Sequence, residues 1–261
     1  AVRRALELGY AGASHKNCKG LIKGIANACL LRSRGAIHSG EDLANVGWTL
    51  QALGRPDEAR AALAEAMAIA RRTANDFGIA TAHEQLADLE AGVGRDPAAA
   101  LAHARAAVAG YRKLAMQRRL TRCLSVAAGA HRRLGEQAAA FACLHEVLTV
   151  AIKHAFVRQQ CDACVELAAL MLDRADHGRA VALLALSDRL RASSNLVSEP
   201  AVDAECQRIR AAAVGGLDAF ALHEASAEGA LLTVAQAIRW VQQAAAEPAC
   251  RDERAAQAGI G

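Results

Sequence analysis

The sequence predicts an all-α fold, a stack of antiparallel helix hairpins repeating about every 40 residues. Three observations carry that prediction. Alanine, the strongest helix former, supplies a quarter of the 261 residues, while aromatics make up 3% and only four prolines interrupt the chain. Turn positions recur at Gly54, Gly94, Gly135, Ala175 and Gly215, with spacings of 40, 41, 40 and 40. Amphipathic stripes follow them: Ala59, Leu63, Ala66, Met67 and Ala70, then Ala140, Leu144, Val147, Leu148 and Ala151, then Ala180, Leu183, Leu184 and Leu190.

Each element has a local reason. Residues 1–10 read as the end of a helix, and the glycine-rich stretch that follows bounds only a helix around Leu21 to Arg32. Residues 1–39 are therefore expected to form a degenerate or truncated repeat segment, and 40–247 the repeat array. A glycine just past a helix takes the left-handed conformation cheaply, which assigns the five marks as helix ends. Pro56 and Pro97 open the helices after them, and Asp96 and Asp176 are natural N-caps. By register the first helices of the hairpins span roughly 41–53, 80–93, 121–134, 161–174 and 199–214. Small residues alternate with Leu along the stripes, as close helix packing requires, and one hairpin alone could not bury them. Thr233 and Gln236 form a capping box that starts a last helix, expected to cap the preceding hairpin through Leu232, Val234, Ile238 and Val241. Residues 248–261 read as a flexible polar tail.

The pattern has a family likeness. Leu43, Val46-Gly47, Leu50, Gly54, Ala59, Leu63 and Ala66 resemble the tetratricopeptide alternation of small and large residues. So do Leu124, Ala127-Ala128, Gly135, Ala140, Leu144 and Val147. The long period, the helix from Gly178 to Arg191 and the closing segment from Gly215 to Ile238 resemble the C-terminal arms of bacterial STAND-class ATPase regulators. These include LuxR-type transcription activators and cyclase-linked ATPases. The resemblance covers roughly residues 40–245 and departs from the pattern at Gly215-Gly216. It implies a right-handed superhelical stack and a protein-interaction or sensor module that is not itself catalytic. It also implies that the first helices line a concave groove for a protein or peptide, with the parent's own ATPase domain among the candidates. On that pattern the groove positions are Glu41, Trp48 and Gln51, then Glu84 and Asp88, then Arg122, Ser125, Arg132 and Arg133, then Asp162 and Asp173. Acidic, basic and acidic patches would alternate along it. A free-standing scaffold joining other proteins is the competing class of function.

Composition and motifs narrow the chemistry. A net charge of +4, with basic residues interleaved among acids and no aromatics between them, argues against direct nucleic-acid contact. No apolar run approaches the roughly 20 residues of a membrane span. Eight cysteines without a regular framework suit a reducing cytoplasm. The start, Ala-Val-Arg-Arg, lacks an initiator Met and a signal-peptide layout, so the chain reads as part of a longer protein. No phosphate loop, GxSxG, HExxH or GxGxxG occurs, so no enzyme activity and no cofactor are expected. Cys161 and Cys164 form a CxxC whose helical setting favours packing thiols over a redox or zinc site. His15, Cys18, Cys29 and His38 carry zinc-binding chemistry, but their spacing matches no finger and no metal is expected. Arg118, Arg119, Arg122, Arg132 and Arg133 make the densest basic stretch and read as a solvated face.

Overall fold

The computed structural model describes residues 12–13, 33, 37–38, 47, 50–51, 53–197 and 200–246. Among them ten α-helices follow one another: α1 Pro56–Arg72, α2 Asp76–Leu89, α3 Pro97–Lys113, α4 Gln117–Arg133, α5 Gln137–Lys153, α6 Val157–Asp173, α7 His177–Ser193, α8 Pro200–Gly215, α9 Ala219–Leu231 and α10 Val234–Ala246. Gly47, Leu50 and Gln51 are helical ahead of α1. A two-residue parallel pairing, β1 Gly12–Ala13 with β2 Ile37–His38, lies in the segment read as an eroded repeat. His15, Cys18 and Cys29, like Glu41 and Trp48, fall outside the described residues.

The repeat is finer than the sequence marks suggest. Left-handed residues recur at Gly54, Ala74, Arg95, Ala115, Gly135, Ala155, Ala175 and Asn195, every 20 residues with a single step of 21. At each turn from Ala115 to Asn195 the residue after the left-handed one donates to a carbonyl five back, as in Met116 to Tyr111 and Phe156 to Ala151. That is the Schellman closure, which satisfies otherwise orphaned carbonyls. Four of these positions are alanines rather than turn-type residues, so the first helices begin earlier than the register predicts: α2 at Asp76, α4 at Gln117 and α6 at Val157.

The single step of 21 has a local cause. α2 runs into a π-helical turn, Glu90–Gly94, and the Asp96 N–H reaches back six residues to the Glu90 carbonyl. A π turn absorbs one extra residue without ending the helix. The left-handed residue there is Arg95, not Gly94. Gly94 is needed for space instead: a Cβ on it would lie 2.0 Å from the Glu90 carboxylate, which folds over it to meet Arg60. Gly215 is likewise not left-handed, and the 17-residue helices give way to 16, 13 and 13 residues in α8, α9 and α10.

The chain divides into two compact units between Val126 and Ala127, a division that falls inside α4. In the first, α1 packs on α2 and α2 on α3. Leu63 and Met67 of α1 meet Ala82 and Leu86 of α2. A Cβ on Gly47 would sit 2.7 Å from Leu63, so the small residue of the tetratricopeptide-like pattern lies under α1. In the second unit α5, α6 and α7 pack in sequence, α7 also meets α8 and α9, and α10 turns back onto α5. α7 is covered on several sides, with Val181, Ala182, Leu183, Leu184, Leu186 and Ser187 all buried.

Candidate partner groove

The first-helix positions come together as ion pairs. In the first unit Glu84 of α2 is 3% exposed, against the groove-facing position expected of it. It accepts from the Tyr111 hydroxyl at 2.5 Å and from Arg119 at 2.6 Å, with Arg122 at 3.4 Å. Thr81 lies 3.1 Å from the same hydroxyl, and Arg119 stacks over Phe77 and Tyr111. Arg122 also pairs with Asp88, one turn along α2. Burial outweighs the pull of Arg122 and, with repulsion from Glu84, pushes the Asp88 carboxyl up to about 6. Burial and the bond to Glu84 hold the Tyr111 phenol well above its ordinary value.

The second unit repeats the arrangement with the charges reversed. Arg132 of α4 lies 3.4 Å from Asp173 and 3.9 Å from Glu166, both on α6. Burial raises Glu166 above the usual carboxylate range despite Arg132 and Arg133 nearby. Asp162, also on α6, takes Arg191 of α7 at 3.4 Å, and Arg191 reaches Asp203 of α8 at 4.0 Å. Ser125 donates to the Thr121 carbonyl, Arg133 is exposed, and Gln51 is half-buried.

The expected alternation of acidic and basic patches is thus largely spent inside the chain. Neighbouring first helices carry opposite charges close enough to pair, so their faces complement each other before any partner arrives. Sequence reasoning missed Tyr111, Glu166, Arg191 and Asp203 and read Arg119 only as part of a solvated basic stretch, although Tyr111, a lone aromatic in an alanine-rich helix, was a usable signal. The basic stretch Arg118 to Arg133 does lie along one helix, but Arg119, Arg122 and Arg132 are paired rather than merely solvated.

The thiols follow the packing reading. Cys161 and Cys164 are free and buried, and burial pushes Cys161 up to about 11 and Cys164 higher still. Such thiols are poor nucleophiles at neutral pH. Among the described residues no group of three or more His, Cys, Asp or Glu could hold a metal ion, and no helix is long and apolar enough to cross a membrane.

Residues 43–78 match the tetratricopeptide repeat family. The match runs from the segment holding Gly47 through α1 into the first turn of α2, the part where Gly47 packs under Leu63 and Gly54 closes the turn. No curated protein and no solved structure matches the chain.

Proposed function

We propose that the chain is the protein-interaction or sensor arm of a multidomain bacterial signalling or transcription regulator, and that it is not itself catalytic. The observation that carries this reading is a tetratricopeptide-type repeat at 43–78 followed by the 17-residue helices α3 to α7, whose left-handed turns recur every 20 residues. Repeats of this type bind proteins, through surfaces that stacked units present side by side. The partner is a protein or peptide segment held along the first helices, and in a regulator the parent's own ATPase domain is the nearest candidate.

The ion pairs set the terms of that binding. Arg122 and Asp162 are 46% and 42% exposed at the side chain, so a partner's charges can exchange with theirs at little desolvation cost. A mixed-charge segment fits such a face better than a nucleic-acid backbone, which needs uniform positive charge. The test is a pair of substitutions, Trp48→Ala and Arg132→Glu, measured against a protein recovered by pull-down. Weaker binding by both variants at unchanged helix content supports the groove. Undiminished binding by both removes it.

A further inference from the structure

Glu166 of α6 differs from the other acids of the candidate groove. Glu84, Asp88, Asp162 and Asp173 each have an arginine nitrogen within 3.4 Å. The Glu166 carboxylate stays 3.9 Å from Arg132, beyond hydrogen-bond reach. The gap shows from the other side too. Arg132 Nε is buried and finds no acceptor among the described residues, while Nη1 of the same guanidinium goes to Asp173 at 3.4 Å. Yet Glu166 is not sealed in, for 34% of its side chain is open to solvent. Its surroundings strip water from the carboxylate, and repulsion from Glu205 of α8 and from Asp162 adds to the cost of its charge, against Arg132 and Arg133. An acid held in that state contributes little to folding.

A second observation marks the same spot. Gly129 lies in the interior of α4, where glycine weakens a helix relative to alanine. The glycines at 110 and 229 have a packing reason, since a Cβ on either would come within 3 Å of Ala80 or Ala182. Gly129 has none among the described residues. Its backbone is not left-handed, and a Cβ there would meet nothing nearer than the Glu166 carboxylate at 3.6 Å, an ordinary contact. The fold would accept alanine at 129 and gain helix stability. What glycine does supply is bare, half-exposed backbone beside the Glu166 carboxylate, which lets another group approach closely.

We propose, building on the groove reading above, that Gly129 and Glu166 seat one cationic side chain, lysine or arginine, of the peptide segment bound along the first helices. The cation lies against the bare backbone of Gly129 and supplies the charge-assisted bond that Glu166 lacks within the chain. Glu205 and Asp162 favour its approach, and the Arg132–Asp173 pair stays intact beside it. Arg132 and Arg133 oppose it, so a free cation is held weakly and the rest of the segment must contribute to the hold.

The probe is a set of dodecapeptides selected from a random phage library on the 261-residue chain, with affinities then measured by fluorescence anisotropy. The selected peptides should share one Lys or Arg, and replacing it with Ala should weaken binding on the order of tenfold. Glu166→Gln should weaken the original peptide by a similar factor and leave the Ala peptide unchanged, the mark of a direct pair. Gly129→Ala should raise the melting midpoint of the chain yet weaken the same peptide. Ser125→Tyr adds bulk at a groove position of α4 without changing charge, and so separates the two readings. The proposal is overturned, with the groove left standing, if the peptides lose affinity for Ser125→Tyr but bind Glu166→Gln as tightly as the parent chain. Peptides that respond to neither change remove the groove and the cation seat together.

Discussion

Both units pack small and apolar side chains and carry ion pairs, but the unit ending at Val126 adds a polar network around the buried Glu84 and Tyr111, whereas the unit beginning at Ala127 buries thiols and small side chains on α6 instead. In the first, Glu84, Tyr111, Thr81, Arg119, Arg122 and Asp88 form one network across α2, α3 and α4. In the second, α6 buries Cys161, Ala163, Cys164, Leu167 and Ala168 with almost no exposure, and Gly229 of α9 lies against the Ala182 backbone of α7. Both keep the left-handed turns, every 20 residues apart from the one step of 21 in the first unit. One backbone rhythm is therefore compatible with two kinds of cohesion. They differ in how they fail: a network loses several bonds when one member goes, while a close-packed contact fails only where atoms cannot fit.

The sharpest test of the contrast is to remove one carboxylate from each unit. Glu84→Ala should cost about 3 kcal/mol, near the low end for breaking a buried pair because Arg119 and Arg122 are partly solvated. Glu166→Ala should cost under about 1 kcal/mol, since Arg132 keeps Asp173 and burial already disfavours the ionised Glu166. Urea unfolding of the two variants measures both. Equal losses would erase the distinction between the units.

Added volume probes the other side. A Cβ on Gly229 would come within 2.6 Å of the Ala182 carbonyl oxygen and 2.8 Å of its Cα, so the backbone must move. Gly229→Ala should cost about 2 kcal/mol, more than the helix propensity it gains. Gly110→Ala in the first unit meets only the Ala80 methyl at 2.8 Å and should cost less. Thermal melts that rank the two the other way would show that the second unit is not the tighter packed.

Acidification should act on the first unit. His83 and His103 face each other with their Nδ1 atoms 3.0 Å apart. Burial lowers both below their ordinary 6.5, with mutual repulsion and Arg71 adding to the effect at His83. The unfolded chain therefore takes up protons first as the pH falls through 6.5, and stability declines from there downward. Asp88, raised to about 6, and Glu166, which burial raises in the second unit, gain their protons in the fold first and oppose part of the decline. The melting midpoint should fall between pH 7 and 5.5, and His103→Gln should flatten the fall, as calorimetry across that range would show. The smallest effect expected is a gain: Ala155, left-handed at φ 52°, replaced by Gly should stabilise by about 0.5 kcal/mol in the same melts.

The sequence alone determined the helical class, the amphipathic stripes and a period near 40, because these rest on propensity and spacing that act within a few residues. The N-caps Asp96 and Asp176 and the box at Thr233 were legible for the same reason, and each forms its bond. Half of the turns were not legible. Ala74, Ala115 and Ala155 are left-handed in the fold although alanine has no local preference for that conformation to announce it. Placing Arg122, Arg132, Asp162 and Asp173 on first-helix faces could be read from the period, but their mutual pairing could not. Whether a charged face meets water, a partner or the next helix depends on distance between segments some 30 to 40 residues apart. The same holds for α10, whose apolar face was plain in the sequence. That it packs on α5, with Arg174 just before α7 and Arg179 at its start reaching it, was decided by the tertiary structure of the second unit.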